Sequence, residues 1–296
     1  MSGSHPDPEP GTGATSPSGA DINQALRRLA DLPDDDLDLA DAALLLAALG
    51  RPRVALERYR LHLRDLAAAV GRESGRRGGQ DQPRLEDRAD ALIAALAGEF
   101  RYRGDDLTYD DLQNANLMRV IDRRRGLPVA LGILYIAAAR AQGWTAYGLN
   151  FPGHFLIALE TDGARAIVDP FAARRLDGAN DLRALLKALA GAGAELTPQH
   201  CAPLSNRGVL LRLQNNLKAR LVAQGRHERA VAVIEQMLLF APAEAELWRE
   251  AGMLHGEAGN LKAATAALER YLEIGREPAA RHGAAQLLQS LRQRLN

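Results

Sequence analysis

The run from Gly126 to Gly143 is apolar on every side, which narrows the folds open to this chain. It reads RGLPVALGILYIAAARAQGW with its two flanking residues. A helix that is hydrophobic all round has to be covered by other elements. Pro128 suits the first turn of such a helix, where its missing N–H is harmless and its fixed φ is helical. We therefore predict a buried helix over residues 129–142, with Pro128 at its start.

The sequence pattern changes directly after this helix. Residues 144–149, 155–160 and 166–168 read as short strands, and Asp162-Gly163 is typical of a hairpin turn between the last two. His154 lies on one predicted strand and Asp169 closes another. If these strands pair through the turn, the two side chains fall at nearly the same level of the sheet. We therefore expect them to form a hydrogen-bonded pair.

Helical patterns dominate the rest of the chain. We predict a disordered tail over 1–20, rich in Pro, Gly and Ser, and an exposed loop over 71–83. A helical N-terminal region and a core are predicted over 21–204, followed by helical repeats over 205–296. The predicted helices of the first part, assigned from apolar spacing, cover residues 37–49, 54–70, 85–100, 112–124 and 181–190.

The C-terminal part repeats itself. Gly225 recurs as Gly259 and Ala230 as Ala264, each pair 34 positions apart. This spacing is the tetratricopeptide period, in which small residues let paired helices approach closely. A plain helical bundle with accidental spacing is the alternative. The repeat favours a surface that binds a protein or peptide partner.

Composition excludes several classes of protein. Lys plus Arg and Asp plus Glu both number 37, so nothing indicates nucleic acid or an anionic membrane. No apolar run approaches the roughly 18–20 residues that span a bilayer. The N-terminus lacks the pattern of a secretory signal, and one cysteine, Cys201, excludes an internal disulfide. We expect a cytoplasmic protein without a cofactor, since no phosphate loop is present.

Three motifs together resemble those of a known family. YRGDDLTYDDLQNANLMRVIDRRRGLPVALGILYIAAARAQGW, LNFPGHF and VDPF are similar to the bacterial SirB-one family. The resemblance implies an α+β, mainly helical fold. It would have a transglutaminase-like (papain-like) core with a small antiparallel sheet, followed by a TPR-like α-helical repeat region.

The resemblance also indicates a lost nucleophile. In active relatives a cysteine begins the buried helix, and a His and an Asp complete a triad that performs acyl transfer. Matched on Gly126 and on Arg140 with Gly143, the cysteine position falls on Pro128. Proline cannot form a thioester, so the sequence favours a protein that is not an enzyme, without deciding the question. His154 and Asp169 are then a vestigial dyad, or a base and orienter that act on a water or a ligand.

Other residues are candidates for binding. Arg123, Arg124 and Arg125 could recognise a carboxylate or phosphate, or could be a solvated helix end. Asn114 and Asn116 could bind a ligand or order the preceding loop, and Gly153 would let the backbone turn sharply and aim His154 into a cleft.

Cys201 remains as a displaced nucleophile or an ordinary cysteine. No ligand spacing supports a metal site from His154, Asp169 and a third residue such as His200.

Two hypotheses of different classes follow. The first is a non-catalytic protein-interaction or peptide-binding scaffold, for which a regulatory role is one option. The second is a cysteine-independent or displaced-cysteine amide hydrolase or acyltransferase that uses His154 and Asp169.

Overall fold

The structure is a computed structural model and describes residues 17–78 and 83–295. It is mainly helical, with one small antiparallel sheet and a helical C-terminal region, as the sequence predicts. The predicted tail over 1–20 falls largely outside the described residues. Its last part does not match the prediction, because helix α1 already begins at Gly19 behind a capping box formed by Ser18 and Asp21.

Four helices form the N-terminal region. Asp38 caps the second by accepting hydrogen bonds from the amides of Ala40 and Asp41. A six-residue π-helical turn over Ala94–Glu99 extends the fourth. The four are α1 (Gly19–Ala30), α2 (Leu39–Leu49), α3 (Glu57–Gly78) and α4 (Leu85–Ile93).

Helix α3 corrects the loop predicted over 71–83, because it continues to Gly78. Tertiary contacts hold this extension. Gln142 packs its side chain over Gly71 and donates to the carbonyl of Ala67 at 2.8 Å. Arg72 also pairs with Glu99 at 2.8 Å.

The predicted helix over 112–124 divides in two. A 3₁₀ turn covers Leu112–Ala115, and helix α5 covers Leu117–Arg123. Asn116 separates them: its Oδ1 accepts from the amide of Arg119, and its Nδ2 donates to the carbonyl of Ala47 at 2.9 Å. Two short parallel strands, β1 (Arg103–Gly104) and β2 (Arg125–Gly126), pair beside α5 and were not predicted.

Helix α6 (Pro128–Arg140) is the buried helix that the sequence predicts, with Pro128 in its first turn. It packs against α3 on one side and against the sheet on the other. The sheet order is β6-β5-β4-β3-β7, antiparallel throughout, with Asp162 and Gly163 at positive φ in the β4–β5 turn. The strands are β3 (Thr145–Leu149), β4 (Ile157–Thr161), β5 (Ala164–Asp169), β6 (Arg174–Leu176) and β7 (Pro203–Leu204).

His154 does not lie on a strand, contrary to the prediction. It occupies a bend three residues before β4, and Gly153 beside it has φ +71. The backbone there turns away from the ladder, since the carbonyls of Phe151 and His154 accept from a side chain of a distant helix, Arg212. Asp169 does close β5, as predicted.

One helix follows the sheet, and five form the C-terminal region. Ala230 and Ala264 are fully buried between paired helices, and Gly225 and Gly259 turn the chain at positive φ. These matching positions confirm the predicted repeat. The helices are α7 (Ala179–Ala190), α8 (Asn206–Ala223), α9 (His227–Phe240), α10 (Ala245–Glu257), α11 (Leu261–Ile274) and α12 (Pro278–Leu295).

The N-terminal region and the repeats share polar contacts. The carboxylate of Asp34 accepts from the amides of Asn206 and Arg207 at 2.6 and 2.9 Å, at the start of α8. Helix α1 packs on α9. No helix in the described part of the chain has the length and apolar character to cross a membrane.

Candidate functional site

Pro128 and His154 face the same small cavity. Pro128 is buried at the N-terminus of α6, and His154 comes from the bend before β4. The cavity has a volume of about 180 Å³, and its lining includes Tyr109, Arg212 and Asn216. The structure therefore brings the start of the buried helix and His154 together at one cavity, and the helix start carries a proline.

His154 and Asp169 lie side by side. The Nε2 atom of His154 is 3.0 Å from Oδ1 of Asp169, which is a hydrogen-bonding distance. Nε2 is buried, however, and makes no hydrogen bond of regular geometry within the described residues. The ring and the carboxylate are thus in close contact, but without the regular hydrogen bond expected from the sequence.

The carboxylate of Asp169 is held in place by its own loop. Its Oδ1 accepts from the amides of Phe171 and Ala172 at 2.9 and 3.1 Å. Burial acts to raise the pKa of Asp169, but the His154 contact and the two amides outweigh it, so the pKa lies below its ordinary value. The group therefore stays ionised and can fix the orientation of the imidazole.

Phe155 anchors the bend that carries His154. Its ring fits against two glycines, one on α6 and one on β3. A Cβ atom added at Gly132 would lie 2.3 Å from the ring, and one at Gly148 would lie 2.6 Å from it. Both distances are too short for real atoms. The glycines thus create the space that positions Phe155, and through it His154.

Arg212, on helix α8, closes the site on one side. Its Nη2 donates to the carbonyl of Phe151 at 2.8 Å and to the carbonyl of His154, and its guanidinium lies 5.6 Å from the centre of the Phe155 ring. Burial lowers the pKa of Arg212 from its usual value, but arginine remains protonated in proteins. A half-buried cation from α8 therefore fixes the backbone on either side of Gly153.

Aromatic rings form another wall. Phe171 meets His154 edge-on, with ring centres 6.2 Å apart, and meets Tyr109 edge-on at 6.0 Å. Phe171 in turn rests on Gly104, where a Cβ would lie 2.5 Å from its ring. Tyr135 on α6 is fully buried near Asp169, and its hydroxyl has no hydrogen-bond partner within the described residues.

The binding role considered for Arg123 and Asn114 finds no support in their contacts. Arg123 donates to Oδ1 of Asn114 at 2.9 Å and to the buried carboxylate of Asp105 at 2.8 Å. Asn114 is itself fully buried and donates to the carbonyl of Thr108 at 2.7 Å. Although burial acts to raise it, the pKa of Asp105 is lowered to about 2 by hydrogen bonds from Thr108, Arg123 and Asn114. These side chains hold the loop before α5.

Arg124 is also used internally. Its Nη1 lies 2.6 Å from Nε2 of His62 and contacts the hydroxyl of Tyr102. Burial, followed by the charge of Arg124, lowers the pKa of His62 to about 4. Arg125 makes no ion pair within residues 17–78 and 83–295, and it belongs to β2. The run therefore does not form one guanidinium cluster at the cavity.

The remaining candidates separate in space. Asn116 caps α5, as described above, and Gly153 lines the cavity. Cys201 is half-buried and packs against an apolar cluster that includes Phe151 and Leu186. Its carbonyl accepts from Arg165, near the end of β5 opposite Asp169. It does not line the Pro128 cavity. In the part of the chain that the structure describes, no three His, Cys, Asp or Glu side chains are grouped to hold a metal ion.

Four residues of the site were not identified from the sequence: Tyr109, Phe171, Arg212 and Asn216. Phe171 is part of the DPF motif, so the motif could have indicated that Phe171 lies near Asp169. Arg212 and Asn216 lie four positions apart on one face of α8, but nothing in the sequence links that face to His154.

Comparison with known proteins decides the family. Residues 57–215 match the model described as the transglutaminase-like superfamily, and residues 217–289 match a tetratricopeptide repeat model. The chain belongs to the transglutaminase-like superfamily. Its C-terminal helices carry the repeat that their 34-residue spacing indicates.

Several bacterial relatives share this superfamily region. A UPF0162 protein of Xylella fastidiosa is 30% identical over 187 residues, which are 62% of this chain and 66% of the relative. A UPF0162 protein of Vibrio cholerae is 28% identical over 228 residues, or 77% and 82%. The chain thus spans just under two thirds of the length of the Xylella relative.

Two other similarities are more distant. F-box only protein 21 of Mus musculus is 27% identical over 135 residues, which are 46% of this chain and 20% of that protein. The crystal structure of menin aligns with a TM-score of 0.42 and 9% identity, covering 91% of this chain and 74% of menin. That score is too low to bear on fold or function.

Proposed function

We propose that this protein is a cytoplasmic, non-catalytic member of the superfamily, of the SirB-one type, which binds a protein or peptide partner. The observation that carries the proposal is Pro128 at the N-terminus of α6, facing His154 across the cavity. A thiol at that position would begin acyl transfer, and a pyrrolidine ring has neither a nucleophile nor an N–H.

The size of the cavity supports this proposal. Ligand pockets usually have volumes of about 300–1,000 Å³, whereas the space beside His154 is about 180 Å³. Arg212 also donates hydrogen bonds from Nη2 to two carbonyls of the bend itself. Little room and few unused polar groups remain for a substrate.

The connection between core and repeats also supports a scaffold. Arg212 and Asp34 join α8 to the core and to the N-terminal region through buried or half-buried polar contacts. Partner surfaces on both parts would keep a fixed relative position. We keep the division into 21–204 and 205–296 as part of this proposal.

Sensitive assays of amide hydrolysis and of amine incorporation test the proposal. The purified protein should give no turnover above that of His154→Ala, measured in parallel with the conservative variant His154→Gln. Turnover that disappears in both variants, while their unfolding midpoints stay within the range of the parent, would refute the non-catalytic assignment.

The second candidate function is hydrolysis with His154 as a general base on water, oriented by Asp169. The 3.0 Å contact between an ionised carboxylate and the imidazole favours it. A single general base contributes about 10²- to 10⁴-fold to a rate, so any such activity would be slow. The displaced-cysteine form gains no support, because Cys201 packs on the sheet away from the cavity.

A further inference from the structure

A second concave surface lies where the core meets the repeats. We name it the junction groove; it runs between the C-terminal end of α2, the segment 112–119, and helices α8 and α9, and its volume is about 350 Å³. Leu46, Leu221 and Val233 form a largely buried apolar floor. The groove is therefore built by both parts of the chain and exists only in their assembled arrangement.

One buried polar side chain in the groove has an atom without a hydrogen-bond partner among the described residues. Gln214, on α8, is only 4% exposed, and its Oε1 has no hydrogen-bond donor among the described residues. A buried amide oxygen without a donor costs stability. Rotation about the last side-chain torsion presents either end of the amide to the groove. A peptide group, which carries one donor and one acceptor, complements this side chain.

The charges at the rim are all of one sign. Arg119 and Arg229 are exposed and make no ion pair within residues 17–78 and 83–295. Arg51 also lines the groove but is already paired with Asp122 at 2.6 Å. No Asp or Glu of the described chain is among the lining residues. Two unused guanidinium groups flank an apolar floor, and guanidinium groups bind carboxylates in a bidentate way.

We propose that the junction groove binds an acidic peptide segment of a partner protein, with an apolar side chain on the floor and its carboxylates on Arg119 and Arg229. The buried apolar floor and the amide of Gln214, which a peptide group complements, favour a peptide over a nucleic acid. The net charge of zero also argues against nucleic acid. This inference deepens the proposed function and rests on it.

Binding of labelled short peptide pools, measured by fluorescence anisotropy on the full chain, tests the proposal. One pool has Asp or Glu at every position except a central Leu or Phe; a second replaces the acids by Lys. The acidic pool should bind and the basic pool should not. Arg119→Glu and Arg229→Glu should each weaken binding about tenfold or more, while Arg183→Glu, on the exposed face of α7, should leave it unchanged.

Gln214→Leu supplies a readout that a structural role would not give. Because the orphaned oxygen costs stability, this variant should keep or raise the unfolding midpoint and yet weaken binding of the acidic pool. A lowered midpoint with unchanged binding would make Gln214 structural and overturn the assignment. Equal binding of both pools, no binding, or tighter binding of a single-stranded oligonucleotide of equal charge would also overturn it.

These outcomes are independent of catalysis. Binding by the acidic pool should be the same in His154→Ala as in the parent, because His154 does not line the junction groove. Failure of the peptide experiment therefore leaves the non-catalytic assignment standing. Turnover dependent on His154 would remove that assignment without changing the peptide result.

Discussion

Arg212, on helix α8, donates a hydrogen bond to the backbone carbonyl of His154. The two residues are 58 positions apart in the chain. The same guanidinium donates to the carbonyl of Phe151, so helix α8 fixes both sides of the bend that carries the histidine.

Arg212→Ala should destabilise the protein by about 2 kcal/mol, because two carbonyls lose a charged donor and hydrogen bonds to charged groups each contribute about 1.5–3 kcal/mol. Desolvation of the half-buried cation offsets part of this loss. Urea unfolding measures the change. Arg183→Ala, at an exposed position of α7, is the matched control and should shift stability by less than about 0.5 kcal/mol. Equal effects of the two variants would contradict the closing role of Arg212.

Gly132→Ala should destabilise by about 1–3 kcal/mol, the usual range for overpacking a core. The added methyl would meet the Phe155 ring at 2.3 Å. Thermal unfolding and circular dichroism report the loss. Gly283→Ala in α12 is the control, since no atom lies within 4 Å of its added Cβ. Alanine there should stabilise the helix by about 0.5–1 kcal/mol, so the two substitutions have opposite expected signs.

Pro128→Cys, made in a Cys201→Ala background, should create a reactive thiol. The N-terminus of α6 and the imidazole of His154 both favour a thiolate at that position. We expect alkylation by iodoacetamide at pH 7 to be about tenfold faster or more than that of Cys201 in the parent, measured by mass spectrometry.

Adding His154→Ala to Pro128→Cys should return the alkylation rate to that of an ordinary cysteine. A fast rate that persists without the imidazole would show that the helix alone activates the thiol. A slow rate in both would show that His154 does not face position 128 as the cavity indicates.

The free energy of unfolding should decrease at low pH because His62 becomes protonated. Its pKa is about 4 in the fold, because of burial and then the charge of Arg124, against an ordinary value of 6.5. Since the folded pKa is the lower one, the unfolded chain takes up the proton first. The contribution is complete above pH 6.5 and is lost as the pH falls towards 4. Because His62 is only half-buried, solvent screening keeps the loss below the roughly 3 kcal/mol that 1.36 kcal/mol per pKa unit would give.

Urea unfolding of the parent and of His62→Gln between pH 7 and 4 isolates this effect, because glutamine keeps a hydrogen-bonding group but does not titrate. The parent should lose more stability than the variant over that range. His282→Gln, at an exposed helix position, should follow the parent. If the stability of the parent and of His62→Gln changed equally with pH, His62 would not be the cause of the loss of stability in acid.

The sequence by itself determined the elements whose signals are local. The all-round apolar pattern behind Pro128 requires a covered helix, the Asp162-Gly163 pair sets a tight turn, and the 34-residue spacing sets paired helices. Each depends on propensity and periodicity over a short stretch. The sequence also shows that the buried helix begins with proline, which carries neither a thiol nor a hydroxyl; that this is the position of a lost nucleophile stays a prediction from the family resemblance.

Tertiary structure decided which side chains are free to act. In the sequence Arg123 and Asn114 are candidates for ligand binding. In the structure they are hydrogen-bonded to each other and to neighbours such as Asp105. Helix α3 likewise extends through a Gly- and Arg-rich stretch because Gln142 and Glu99 support it. Arg212 reaches His154 from a helix 58 residues away, and the orphaned amide of Gln214 is defined by what surrounds it. A hydrogen bond depends on the distance between two groups in space, and for groups far apart in the chain only the packed fold sets that distance.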